Sequence, residues 1–314
     1  MKQYLIRISR SLASLLARYP RVDHYVRLTR ETFIEWNRDG ASRLAAALAY
    51  YTIFSLAPLL LILIAVAGFF FGQLRAREGI LRELEGLLGS SGMEYVRALL
   101  NTTWEPTTGI IASIVGLCVL LIGATGAFAQ LQEALNIIWE SPPRRGKGLW
   151  SLIRQRLLSF SLVLTIGFLL LVSLALSTGL SAVGKYLSWL LPGYLFPILY
   201  ILNGLLSFAV TTVLFASIYK ILPDTKVRWR NVWLGAGMAA LLFTIGRTLI
   251  GFYLGRSSFS SVYGAAGSFV VILFWVYYSA QILFFGAEFT QVTSRHEDEQ
   301  SDAQAEALAA KKHR

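Results

Sequence analysis

Apolar positions along this chain do not alternate with polar ones but gather into long unbroken runs. Residues Leu44–Phe71, Pro106–Gln132, Leu157–Gly184, Tyr186–Tyr219, Asn231–Gly246 and Ser257–Ala287 contain no Asp, Glu, Lys, Arg or His, and the fifth run resumes after Arg247 as far as Gly255. A bilayer core about 30 Å thick takes about 20 apolar residues to cross as a helix. Each run reaches or nearly reaches that length. The pattern predicts an all-α polytopic membrane bundle of six transmembrane helices, with spans near 44–71, 109–132, 157–184, 197–219, 231–255 and 262–287. The fourth run is too long for one straight crossing. Pro192-Gly193 and Pro197 interrupt it, so the span is read from Pro197, with 185–197 either a loop or a re-entrant hairpin.

The flanking segments read differently. Residues 1–43 form a basic N-terminal region with no apolar core of the signal-peptide kind. Leu5, Ile8, Leu12, Leu15, Leu16 and Tyr19 recur at helical spacing opposite Lys2, Arg7, Arg10 and Arg18. That is an amphipathic helix for the inner leaflet or for the protein's own loops. Pro20 ends it, a second helix covers Val22–Asn37, and Asp39-Gly40 marks a break before the 44–288 membrane domain. In the first outer loop, Gly72–Glu105, an amphipathic helix is expected to stop at Gly89-Ser90-Ser91-Gly92 and resume over Met93–Thr103. Residues 289–314 read as a polar tail, a solvated or frayed helix.

Charge then fixes an orientation. The 29 Lys and Arg residues divide into 22 on the side of the two termini and 7 on the other. Basic short loops remain in the cytoplasm, so both termini are expected on the cytoplasmic side. The same asymmetry accounts for the net charge of +11, and no nucleic-acid partner is expected. Trp36, Trp104, Trp139, Trp150, Trp189, Trp229 and Trp233 cluster near span ends, as interfacial rings do, while Trp275 falls inside a span.

Composition limits the chemistry. One cysteine, Cys118, excludes an internal disulfide and a cysteine-based metal cluster. His24, His296 and His313 are far apart, and no phosphate-binding Gly-x-x-x-x-Gly-Lys-Ser/Thr loop occurs. No catalytic residues, metal or cofactor are expected, and the chain is not read as an enzyme.

Polar side chains at membrane depth are costly and tend to face a bundle interior or cavity. Two layers emerge. Toward the outside, Asn203, Arg247 and Tyr263 are candidates for substrate binding. Arg247 either reaches the outer headgroups, faces a cavity holding an anionic group, or bonds Asn203. Toward the cytoplasm, Tyr50, Tyr51, Gln130, Glu133, Gln281 and Glu288 form a candidate polar gate. Its acidic members could equally belong to an ion-pair collar with Arg43, Arg154 and Arg156. Pro58 suggests a kink eased by Ser55, and Gly123, Gly126, Gly264 and Gly267 suggest close helix packing.

Three segments together resemble the YihY / virulence factor BrkB family. They are Asp39 with Arg43 through Pro58 (RLAAALAYYTIFSLAP), Gly123 through Trp139 (GATGAFAQLQEALNIIW), and Tyr263-Gly264-Ala265-Ala266-Gly267 with Ala280 through Glu288. The resemblance covers nearly all of the membrane portion. It implies a bacterial inner-membrane protein, linked in some members to serum resistance, with no agreed biochemical activity. The family has also carried the label ribonuclease BN, but three scattered histidines do not suit a metal-dependent nuclease. The reading is a transporter or a handler of lipids and envelope precursors that supports envelope integrity. The alternative is a scaffold for envelope-assembly proteins, and tRNA processing is the remotest. Expected partners are membrane lipids, including anionic ones, envelope-assembly proteins and further copies of the chain.

Overall fold

The computed structural model describes residues 20–103, 126–141, 195–225, 227–256 and 265–312. Every regular element among them is a helix. They are α1 (Pro20–Arg38), α2 (Ala41–Phe71), α3 (Gln73–Thr103), α4 (126–138), α5 (Leu195–Ile221), α6 (Trp229–Arg256) and α7 (Ala265–Lys312). The predicted span over 157–184, most of that over 109–132, and the helix over the first nineteen residues lie outside the described residues.

The punctuation of the first helices follows from glycine. Gly40 adopts φ 66° between α1 and α2, and Gly72 adopts φ 83° between α2 and α3. A side chain would be strained in that left-handed region, so the chain turns there and nowhere else in 20–103. Pro58 does not end α2, which runs helical on both sides of it. The Ser55 hydroxyl donates to the Thr52 carbonyl at 3.1 Å.

The expected break at Gly89–Gly92 does not occur. α3 is one helix of 31 residues. Glycine costs about 1 kcal/mol per position in a helix, but here packing outweighs it. Met93, Val96 and Leu100 are buried with Ile53, Leu60 and Ile64 of α2 and Ile272 and Trp275 of α7. The polar tail is likewise no separate element, because α7 continues for 48 residues through 288 to Lys312.

α7 is the central helix. It packs along α2, α6, α3 and α1, while α5 and α6 form an antiparallel hairpin. The largest core joins Ala41, Ala45 and Leu48 of α2, Leu131, Leu135 and Ile138 of α4, Tyr219 of α5, Ala236 and Ala239 of α6, and Phe284 and Ala287 of α7. Helices in lipid gain little from apolar burial against one another and rely on close backbone approach. Gly235 and Gly286 supply it. A Cβ on Gly235 would strike the Thr290 hydroxyl and the Gly286 carbonyl, and one on Gly286 would strike the Tyr219 hydroxyl and Ala239. Several hydroxyls on α5 and α6 are satisfied locally: Thr211, Thr212, Ser217 and Thr244 each donate to the carbonyl four residues earlier.

Three helical stretches are long and apolar enough to cross a membrane among the described residues: Ile201–Ile221, Trp229–Ile250 and Phe269–Ser301. Trp229 and Trp233 stand exposed at the start of α6, their rings 6.4 Å apart, with the Lys220 ammonium 5.3 Å from the Trp229 ring.

Candidate functional site

The outer layer is partly visible. Asn203 on α5 and Arg247 on α6 each lie about 18 residues from the hairpin turn, about 27 Å along the helix axes at 1.5 Å per residue. They are therefore level on adjoining antiparallel helices, and both are exposed. Tyr263 and Gly264 lie outside the described residues.

The six gate residues differ in exposure. Tyr50 and Tyr51 are exposed, with ring centroids 5.6 Å apart, and Tyr50 also meets Phe54. Glu133 is exposed and Gln130 half-buried on α4. Gln281 is half-buried, with its carbonyl oxygen enclosed and without a donor. Glu288 is the buried member at 1% exposure. Of the packing residues, Gly126 faces the Tyr51 ring, Gly267 is buried, and Gly123 is outside the described residues.

Glu288 does not pair with Arg43, whose guanidinium folds back over Gly40. Its carboxyl group instead lies beside Asp39 at the α1–α2 junction, with Glu35 close by. Neither Glu288 oxygen has a donor among the described side chains and backbone as carboxylates stand. Two carboxylates offer acceptors and no donor, so that contact is a hydrogen bond only when one of the two carries a proton. Asp39 is half-buried. Partial burial, and then the Glu35 charge, push its carboxyl above the ordinary carboxylate range; Arg38 opposes this and Glu140 adds to it.

Asp-Gly marks a turn on local grounds, which hides any further role of Asp39 in the sequence. One signal was available. Asp39 precedes the first charge-free run and Glu288 follows the last, so the expected even number of crossings puts both at one end.

The junction is fastened from α7. Arg295 donates twice to one Glu35 oxygen, both at 3.1 Å, and His296 meets Glu31 at 2.5 Å. Leu28 is buried with Phe289 and Val292 beneath them. On the α6 side, Arg228 reaches Asp298 at 3.4 Å and Arg230 reaches Glu297 at 3.6 Å. The α4 end is tied to the hairpin turn: the Asp224 backbone N–H donates to Asn136 Oδ1 at 2.9 Å, and Asn136 Nδ2 donates to Asp224 Oδ2 at 3.2 Å. No group of three His, Cys, Asp or Glu side chains suited to a metal ion occurs among the described residues.

The all-helical architecture, with apolar helices of membrane-crossing length, defines a helical membrane protein. The chain belongs to the virulence factor BrkB family, whose model matches residues 32–310. It is similar to a UPF0761 membrane protein of Verminephrobacter eiseniae, 32% identical over 83% of this chain and 61% of that protein. A UPF0761 membrane protein of Rhodospirillum centenum is 31% identical over 81% of the chain and 54% of its own length. One from Psychromonas ingrahamii is 28% identical over 85% of the chain and 88% of its length. The chain thus spans little more than half of several of the relatives it matches. No solved structure matches it. None of these relatives carries an enzymatic name, and the ribonuclease reading finds no support.

Proposed function

We propose that the chain is a six-span bacterial inner-membrane protein, both termini cytoplasmic, that transports or handles anionic lipids or envelope precursors. The observation that carries this reading is Arg247. It is exposed on a long apolar helix, level with Asn203, at the end of the hairpin remote from the basic turn. A guanidinium among apolar side chains suits a phosphate or carboxylate headgroup, which it engages through paired N–H donors. The acyl chains of such a ligand would lie against the exposed Leu205, Leu241, Ile245 and Leu249. The distribution of Lys and Arg supports the orientation, and the charge-free runs support six spans.

The test is native mass spectrometry of the full chain in mild detergent with added phosphatidylglycerol. Retention by the wild type and loss in Arg247→Ala is expected. Equal retention by both, or by neither, overturns the reading.

One observation favours the scaffold instead. α3 presents exposed charges away from its buried face, with Arg82 on Glu78 at 3.3 Å and Arg97 on Glu85 at 3.8 Å. A scaffold would keep its function in Arg247→Ala and Glu288→Ala and lose it on deletions within 72–105.

A further inference from the structure

The proposed lipid site at Arg247 does not use the carboxyl groups at the α1–α2 junction, and Glu288 among them is almost fully buried. Glu35 and Asp39 come from the end of α1 and its turn, and Glu140 from the turn after α4, close enough for its charge to act on Asp39. Into this group α7 directs Glu288, 1% exposed and without a donor on either oxygen among the described residues. An enclosed carboxylate facing other carboxylates needs a cation or a proton. Arg295 is committed to Glu35, and no three ligands converge for a metal ion among the described residues. A proton fits where nothing larger is provided for.

We infer that Asp39 and Glu288 form a proton-binding site, and that release of the shared proton loosens α1 and its turn from α7. In the protonated state the O–H of one carboxyl donates to the other, and a single negative charge remains on the pair. On release that O–H bond breaks, its electron pair stays on oxygen, and the proton passes to water at the half-buried Asp39. Two adjacent anions then face each other with Glu35 and Glu140 beside them, and repulsion acts across the α1–α7 contact.

The surrounding charges set the direction of the response. From α1, Glu35 and Arg38 face the pair, and Glu31 holds His296. From α2, Arg43 lies over Gly40. From the turn after α4 comes Glu140. From α7 itself, Arg295 is the cation acting on Glu288, but it is already bonded to Glu35. From α6, Arg228 and Arg230 are paired with Asp298 and Glu297. On α5, Lys220 donates to the Val227 carbonyl and Asp224 is held by Asn136. Among the described residues, the cations that α5, α6 and α7 bring to this end are thus engaged, and the anions around the pair outnumber the cations that could relieve it; Arg154 and Arg156 lie outside the described residues. A proton-sensitive joint here would link the cytoplasmic proton concentration to the seating of the N-terminal helix. The inference goes beyond the lipid reading and stands without it.

The experiment uses the full chain in lipid nanodiscs. Infrared spectra of wild type, Asp39→Asn and Glu288→Gln are recorded while pH is raised from about 5 to about 10, across and above the carboxylate range. A protonated-carboxyl carbonyl band in the wild type is expected to persist above the ordinary carboxylate range, to fade as pH rises, and to be missing from both variants. In parallel, spin labels at the exposed positions Thr29 and Glu299 report the α1–α7 distance. The distance should lengthen with pH in the wild type and stay short in Glu288→Gln, whose amide donates permanently to Asp39. If Glu288→Gln does not fold, the wild-type titration and Asp39→Asn decide the matter. A band unaffected by Asp39→Asn, or no band at all, overturns the proton site. A distance independent of pH overturns the coupling. Phosphatidylglycerol retention plays no part in either readout, so the two readings fail separately.

Discussion

The Tyr219 hydroxyl donates to the Leu283 carbonyl at 2.7 Å, and both residues are buried where α5, α6 and α7 meet. The Tyr219 ring lies against Phe215, and its oxygen occupies the space left open by Gly286. Tyr219→Phe removes one buried donor and is expected to cost about 1 kcal/mol. Gly286→Ala displaces the tyrosine and should cost more. Thermal midpoints in detergent check both. The double variant should lose less than the two single losses combined, because they disturb one contact.

The α6–α7 seam tolerates no added methyl. Gly235→Ala meets Thr290 and the Gly286 carbonyl, and Gly246→Ala meets the Tyr278 ring and hydroxyl. Each is expected to destabilise by about 1–3 kcal/mol through overpacking. Gly237→Ala, with nothing within 4 Å of its Cβ, is the control and should be neutral or slightly stabilising. Denaturant midpoints in mixed micelles separate the three.

Stability should fall as pH rises above the ordinary carboxylate value of Asp39. Its carboxyl ionises at a higher pH in the folded chain. The native state therefore holds more protons than the unfolded state in that interval, and the slope of unfolding free energy against pH is negative there. The contribution is fully present below the unfolded value and is lost as pH passes through the folded value. Asp39→Asn is expected to flatten the slope. A pH series of thermal melts, wild type against variant, provides the check.

Removing the fastener should free α1 without unfolding the bundle. Arg295→Ala leaves Glu35 without its two 3.1 Å donors. The exchange of α1 backbone amides should rise by about tenfold or less, equivalent to the ~1 kcal/mol of a partly exposed pair. Exchange in α6 should not change. Raising salt on the wild type should reproduce part of the effect.

Asn136→Ala breaks both bonds to Asp224 and should loosen the hairpin turn. The loss is expected to be about 1 kcal/mol or less, since the site is exposed. Proteolysis near 222–228 is the sensitive readout.

The ends of α2, α5 and α6 could be read from the sequence because charge and glycine mark them directly. Leu44, Tyr219 and Asn231 border charge-free runs, and each helix ends within a few residues of its run. The unbroken course of α3 is hidden for the same reason: Gly89 and Gly92 are local signals, whereas the burial of Met93 and Val96 against α2 and α7 is a tertiary effect. The length of α7 was hidden by a change of solvent along one helix, apolar as far as Ala287 and polar beyond His296, with no change in backbone. Arg247 and Asn203 were legible at one depth by counting residues. The meeting of Asp39 with Glu288 was not, because it depends on which face of α7 turns toward the α1–α2 turn, and hydropathy does not report that.

The 48 residues of α7 extend about 72 Å, more than twice the thickness of a bilayer core of about 30 Å. A rod that long and unbroken acts as a lever with a single axis. A tilt of one degree about the exposed apolar side chains Phe269 and Phe274 would move α7 sideways by about 0.7 Å at Arg295, about 39 Å along the axis from Phe269, a shift that an ion pair such as Arg295–Glu35 would feel. A displacement at the apolar end of α7 would be carried to the α1 contact along one unbroken helix.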